Sequence, residues 1–189
     1  MGVPGCGKGT QAVALAKNFG YTHISTGSML RKLMEEDNLK SSDARILKSM
    51  KSGKLVSDKF VYKLVHKEIE KSFQNSKGVV LDGAIRSLRQ AKSYQKYFSK
   101  HNLGNEIAVI DIHISDKVSL ERMMYRKDNS KQVREDDDPK IMKKRIKKQG
   151  NKAIMPILDY YEKMGVLKTV NGEKEVDKVH MDIVDLLWP

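Results

Sequence analysis

The chain has 189 residues, 39% hydrophobic and 32% charged, which points to one well-packed, soluble globular domain. No apolar run approaches the roughly 20 residues that cross a bilayer, so neither a membrane span nor a secretory leader is expected. The single cysteine, Cys6, excludes an internal disulfide framework and offers no metal-ligand spacing, and a cytoplasmic location is the expectation.

In chain order, residues 9–19 read as a helix stopped by Gly20. The stretch 21–25 is a short alternating strand, and 26–36 a turn followed by a helix. A further helix spans 41–53, and Ser57 or Asp58 caps a long one running to about Gln74. Residues 78–83 form a short apolar run bounded by glycines, which predicts a buried strand. A helix at 87–101 leads to a second clear strand at 106–115, apolar enough for a parallel strand covered on both faces. Asp116 is then placed to cap a helix to Arg126, followed by a polar, aperiodic loop at 127–139. Helices at 139–149 and 153–164, a strand at 165–172 and a helix at 176–187 complete the chain. Strands alternating with helices imply an α/β domain built on a parallel sheet. The strandless stretch 26–56 reads as an insert on that core.

The formal net charge is +12, and the densest basic stretch is 140–152. Ile141, Met142 and Ile146 fall at roughly helical spacing within it, so it reads as a helix with one buried stripe and a solvated basic face. Part of the excess is assigned to arginines aimed at small phosphorylated ligands, and nucleic acid is not the expected partner.

Near the start, "GVPGCGKG" at 2–9 has Gly2, Gly7 and Lys8 in the spacing G-x-x-x-x-G-K, followed by Gly9 and Thr10. Side chains would obstruct the convergence of backbone N–H groups on phosphate oxygens, which is why such loops are glycine-rich. The helix that follows offers its N-terminus to the same anion. Lys8 is placed to reach the transferred phosphoryl group, and Thr10 to hold Mg²⁺. Asp82 ends an apolar strand, where a carboxylate can orient water around that ion. Arg86 lies four residues beyond it, Arg122 and Arg126 share one helical face, and Arg134 and Arg145 follow. Phosphoryl transfer requires such positive charge around the migrating group.

Together these motifs resemble the adenylate kinases, within the nucleoside monophosphate kinase family. "GVPGCGKGTQ" (2–11), "HISTGSMLR" (23–31), "GKLVSD" (53–58), "DGAIR" (82–86), "REDD" (134–137) and "PILDYYEKMG" (156–165) carry the resemblance, which extends over essentially the whole chain. It implies a P-loop three-layer α/β/α fold spanning 1–189, with an acceptor-binding insert at 26–56 and a short lid at 126–137. It implies reversible, Mg²⁺-dependent transfer from ATP to AMP by a monomer. Gly5, Cys6, Gly7, Lys8, Gly9 and Thr10 would cradle ATP, met by Arg122 and Arg126, with backbone near Lys174 against the donor adenine. Thr26, Arg31, Lys54, Leu55, Val56, Gly83, Arg86 and Gln90 would form the AMP site, Gln90 reading the adenine edge and Arg31 and Arg86 the α-phosphate. Arg134 and Arg145 would clamp both phosphate chains, so Lys8, Arg86, Arg126, Arg134 and Arg145 are the expected catalytic cations. No lid cysteines are present, so the lid zinc of some relatives is not expected.

The chain departs from the family pattern in three places. "DGAIR" replaces Asp-Gly-Phe-Pro-Arg, so the Ala84–Ile85 peptide is expected trans and AMP binding weaker or less selective. Ser28 stands where relatives often carry Asp, and both residue types serve as N-caps. The strand that should precede Gly2 is missing, and an upstream strand of about five to seven apolar residues is expected in the working protein. A kinase for UMP or CMP, and a weakly active nucleotide-binding protein contacting RNA, are the alternatives.

Overall fold

The computed structural model describes residues 1–35, 56–73, 76–104, 106–129 and 138–188. The expected helix at 41–53, most of the short lid, and Lys54, Leu55 and Arg134 lie outside them. In chain order the elements are α1 (Lys8–Phe19), β1 (Thr22–Ser25), α2 (Thr26–Met34), α3 (Asp58–Ser72), β2 (Val79–Asp82) and α4 (Leu88–Lys100). There follow β3 (Val109–His113), α5 (Asp116–Asn129), α6 (Pro139–Gln149), α7 (Asn151–Lys163), β4 (Leu167–Asn171) and α8 (Val176–Leu187). The architecture is α/β with parallel strands, as read from the sequence. Among the described residues the strands form two parallel pairs, β1–β2 and β3–β4. The chain divides into two compact units, described in turn.

One unit comprises Met1–Lys8, Ile85–Met123 and Ile146–Pro189. Strands β3 and β4 pair from Val109↔Leu167 to His113↔Asn171. Ala91 of α4, Val109, and Ile157 and Tyr161 of α7 form a buried cluster, with Ile85, Val166 and Leu167 packed against it. Full burial of a side chain such as Val109 or Ile157 contributes roughly 1.5–3 kcal/mol. Helices α7 and α8 both pack on β4. On the edge of β3 away from β4, the Met1 amine donates to Ile110 O, and Ile112 N donates to Met1 O at 3.4 Å. This is the bonding of a parallel ladder. Met1 alone supplies one rung of it, while a strand needs successive paired residues. The loop from Gly2 therefore leaves directly from this rung.

The other unit comprises Gly9–Ala84 and Met124–Arg145. Strands β1 and β2 pair from Thr22↔Val79 to Ser25↔Asp82. Helix α3 buries Val61, Val65, Ile69 and Ser72, spaced at one face of a 3.6-residue period, and packs on β1. Gly20 ends α1 at φ +70°. This left-handed conformation is nearly free of cost only for glycine.

Four local expectations change. Helix α2 starts at Thr26 with no intervening turn, because Ser25 is its cap and accepts from Ser28 N at 3.5 Å. Ser28 is thus inside the helix and not its cap. Asp116 does not cap its own helix: Ser115 Oγ accepts from Val118 N at 3.3 Å, and the Asp116 carboxylate turns to Asn151 on α7. The polar character of 127–129 gave a loop, yet α5 continues to Asn129, whose side chain bonds back to Tyr125 O at 2.8 Å. Strand β2 is half-buried rather than buried, since β1 is its one pairing partner among the described residues.

Candidate nucleotide-binding site

The loop between Met1 and α1 is wound by glycines at positive φ: Gly2 (+121°), Gly5 (+78°) and Gly7 (+95°). At Gly2 a Cβ would stand 2.6 Å from both Cys6 Sγ and Ile112 O, so conformation and space both demand glycine. At Gly7 no atom lies within 4 Å of that position, so the demand is conformational and the surrounding space is open. Val3, Pro4 and Cys6 are buried and anchor the loop from below, and Ser119 Oγ of α5 donates to Pro4 O. Lys8, the first residue of α1, folds over this loop. Its Nζ donates to Gly2 O and Val3 O, both at 2.8 Å, and lies 3.4 Å from Cys6 Sγ. Three positive-φ glycines and an ammonium thus share one short loop that runs directly into a helix, the elements that anion binding uses. Behind the loop, Asp111 is buried. Burial pushes its carboxyl above the usual range against the pull of the N-terminal amine, His113 and Lys8.

Asp82 ends β2 as expected. Its Oδ2 accepts from Ser25 Oγ at 3.2 Å and lies 3.8 Å from His23 Nε2. A Cβ at Gly9 would stand 3.5 Å from the same oxygen, so that glycine keeps the space beside the carboxylate clear. Thr10 is exposed on the first turn of α1. Hydroxyl and carboxylate oxygens on a cleared surface suit a small hard cation such as Mg²⁺, which keeps several waters. No cluster of three or more His, Cys, Asp or Glu stands among the described residues, so the rest of such a shell would come from water and substrate phosphates.

Of the expected acceptor residues, Thr26 opens α2 with its hydroxyl buried and lacking a hydrogen-bond partner among the described residues. Arg31 lies on the same helix, its Nη2 donating to Ser28 Oγ at 3.2 Å. Val56 is buried, and Gly83 turns the chain after β2 at φ +71°. The Ala84–Ile85 peptide is trans, as expected, and Ile85 packs into the cluster around Tyr161. Gln90 is buried, and its Oε1 accepts from Arg86 N at 2.6 Å. The structure also brings Gln149 to Arg86, whose Nη1 donates to Gln149 Oε1 at 3.0 Å.

On the expected donor side, Arg122 Nη1 donates to Gly172 O at 2.8 Å. Glu173 accepts from Ser115 N at 2.9 Å. That hydrogen bond, with Arg122 and His113 nearby, holds the Glu173 carboxyl below its usual range. Lys174 pairs with Asp182 at 2.6 Å, which turns its side chain toward α8. The turn after β4 is thus fastened on several sides, beside a cavity of about 380 Å³ lined by His113, Ser115, Thr169, Asn171 and Glu173. Arg126 and Arg145 are half-buried on α5 and α6.

Sequence reasoning missed Ser25, His23, Glu173 and Gln149. Ser25 had a signal, a serine at a strand–helix junction three residues before a helical N–H. Gln149 had none, because its partner is 63 residues away in sequence.

A family model described as adenylate kinase matches residues 1–166. Among curated proteins, the adenylate kinase of Staphylococcus epidermidis is 34% identical over 213 aligned positions, covering 99% of this chain and 96% of that protein. The adenylate kinase of Prochlorococcus marinus is 35% identical over 187 positions, with the same coverage of both. That of Limosilactobacillus reuteri is 32% identical, again over 99% of this chain and 96% of that protein. A glycine-wound phosphate loop, a strand-end carboxylate and sequence likeness along nearly the whole chain agree, and the chain belongs to the adenylate kinase family.

Proposed function

We propose that this protein catalyses ATP + AMP ⇌ 2 ADP. Its family membership, together with the loop in which Lys8 crowns three positive-φ glycines, supports the reading most directly. Loop N–H groups, the α1 N-terminus and Lys8 receive the donor phosphates. Lys8 exchanges its two carbonyl partners for phosphate oxygens and stabilises charge as the γ-phosphoryl moves. Mg²⁺, when bound, would supply charge neutralisation for the donor phosphates. Thr10 would ligate it directly, and Asp82 would orient its waters, with Ser25 fixing the carboxylate.

Arg86, Arg31 and the Thr26 hydroxyl bind the acceptor, with Gln90 toward its base and Lys54, Leu55 and Val56 lining the same site. Arg122 and Arg126 meet the donor, whose base lies against the backbone near Lys174. Arg134 and Arg145 clamp the transferring group. The protein acts as a cytoplasmic monomer, with a short lid over 126–137 and an acceptor insert over 26–56 that exclude water during transfer. The S. epidermidis alignment runs to more positions than the 189 of this chain, whereas the P. marinus alignment does not, which supports the shorter form.

A coupled assay with ATP and each nucleoside monophosphate tests the assignment. AMP is the expected acceptor, and Lys8→Met should lower kcat by at least about a hundredfold, as loss of a charge stabiliser does. Turnover with UMP or CMP but not AMP, or undiminished turnover in Lys8→Met, would refute it.

A further inference from the structure

The junction between α6 and α7 holds a residue to which neither the sequence reading nor the assigned roles give a task. Gln149 is the last residue of α6, and its Oε1 accepts from Arg86 Nη1 at 3.0 Å. The chain beyond it is tightly held. Gly150 N donates to Ile146 O at 2.7 Å, and a Cβ at Gly150 would stand 2.4 Å from that carbonyl. Asn151 N and Nδ2 both donate to Asp116 Oδ1 at 3.0 Å. Gln149 is therefore presented from a fixed junction. Arg86 is fixed at its other end, where its backbone N–H donates to Gln90 Oε1 at 2.6 Å. Gln90 in turn sits on α4 beneath its Ser87 cap, which accepts from Gln90 N at 3.2 Å.

The kind of acceptor matters. A guanidinium has five donors in a planar fork and a permanent charge. A carboxylate in the same place would grip it more strongly but would offset the charge that a phosphate seeks. An amide oxygen orients the fork and leaves the charge undiminished by that contact.

We infer that Gln149 is a positioning residue for acceptor binding, its neutral amide oxygen presetting the Arg86 guanidinium for the acceptor phosphate. This rests on the assignment of Arg86 to that phosphate. Preorganisation of this kind spares the bound state the ordering of a long side chain.

The test measures AMP and ATP affinity in the full chain carrying Gln149→Leu or Gln149→Glu, each alone and combined with Arg86→Leu. KM values are read where turnover permits, and calorimetric Kd values for AMP elsewhere; KM does not depend on the fraction of folded enzyme. Gln149→Leu should raise the AMP KM about threefold to tenfold, and Gln149→Glu about tenfold or more, consistent with loss or offset of one charge-assisted hydrogen bond. The ATP KM should stay within about twofold for either, because the contact is confined to the acceptor arginine. In the Arg86→Leu background both changes at 149 should leave the AMP Kd within about twofold, since a coupled pair is non-additive. Wild-type AMP affinity in Gln149→Glu, or effects at 149 that persist undiminished without Arg86, would overturn the inference while leaving the Arg86 assignment standing. An Arg86→Leu variant with wild-type AMP affinity would instead remove the Arg86 assignment, and the inference with it.

Discussion

Removing the Asp116 carboxylate should loosen the start of α7. Asp116 Oδ1 accepts from both the backbone N and the Nδ2 of Asn151 at 3.0 Å, and Asn151 Nδ2 also donates to Ile114 O at 2.9 Å. The carboxylate thus caps a helix that is not its own, with negative charge at the positive end of the helix dipole. Loss of an N-cap acceptor costs about 1–2 kcal/mol. Hydrogen bonds to charged groups contribute roughly 1.5–3 kcal/mol when fully buried, and this site is only partly so. Asp116→Ala should therefore destabilise by about 2 kcal/mol, or about 4–8 °C in Tm for a chain of this length. Asn151→Ala keeps the backbone donor and should cost about 1 kcal/mol. The double variant should fall short of the sum by about 1 kcal/mol, because both changes remove one shared bond. Urea denaturation of the three variants, with thermal melts alongside, measures the cycle. Costs that add to within about 0.5 kcal/mol would show that the Asn151 side-chain bond is without consequence, and an Asp116→Ala cost below that would show that the carboxylate does not cap α7.

Other outcomes follow from single positions. Asp111 has its carboxyl raised by burial, so the folded state resists its ionisation. The fold then binds more protons than the unfolded chain between the ordinary carboxylate pKa and the raised one, and stability falls as pH rises through that window. Asp111→Asn should accordingly be more stable than the native chain at pH 7 and converge with it near pH 4. Urea titrations at the two pH values decide this, and an Asn variant less stable at pH 7 would contradict it. At Gly5 a Cβ would meet Ser119 O at 2.9 Å, whereas at Gly7 it would meet nothing within 4 Å. Both have positive φ, so Gly7→Ala should cost roughly 1–2 kcal/mol from backbone strain alone, and Gly5→Ala measurably more. Equal losses on chemical denaturation would show that the Ser119 contact is without consequence. Ala84 is buried, so Ala84→Phe should destabilise by about 1–3 kcal/mol through overpacking instead of sharpening AMP selection. A gain in AMP over UMP discrimination without loss of Tm would contradict this.

The parts legible in the sequence were those decided by neighbours along the chain. The glycine loop, the helix stop at Gly20, the strand ending in Asp82 and the helix at 176–187 each follow from local periodicity and backbone freedom. What escaped was decided across the fold. Asp116 looked like the cap of the helix it begins, but its carboxylate is captured by Asn151, which arrives 35 residues later. Ser28 looked like a cap because polar side chains bond locally, yet Ser25 takes that role one turn earlier. The parallel pairing was legible, whereas its division into two pairs depends on which edges meet, which periodicity does not encode. In the site, Lys8, Asp82 and Arg86 carry recognisable spacing, while Gln149, a lone amide at a helix end, carries none.

Lys8 has a consequence for what the loop will ignore. Its ammonium donates to the carbonyls of Gly2 and Val3, so its hydrogen-bonding capacity is partly met while its charge is undiminished. An arriving anion must displace two oxygens before it gains the lysine. A chain of linked phosphates can hold the α1 N-terminus with one group while another meets the ammonium, so a multidentate ligand gains more from the exchange than a single small anion does. The lysine's self-contact in this sense favours linked phosphates over single small anions.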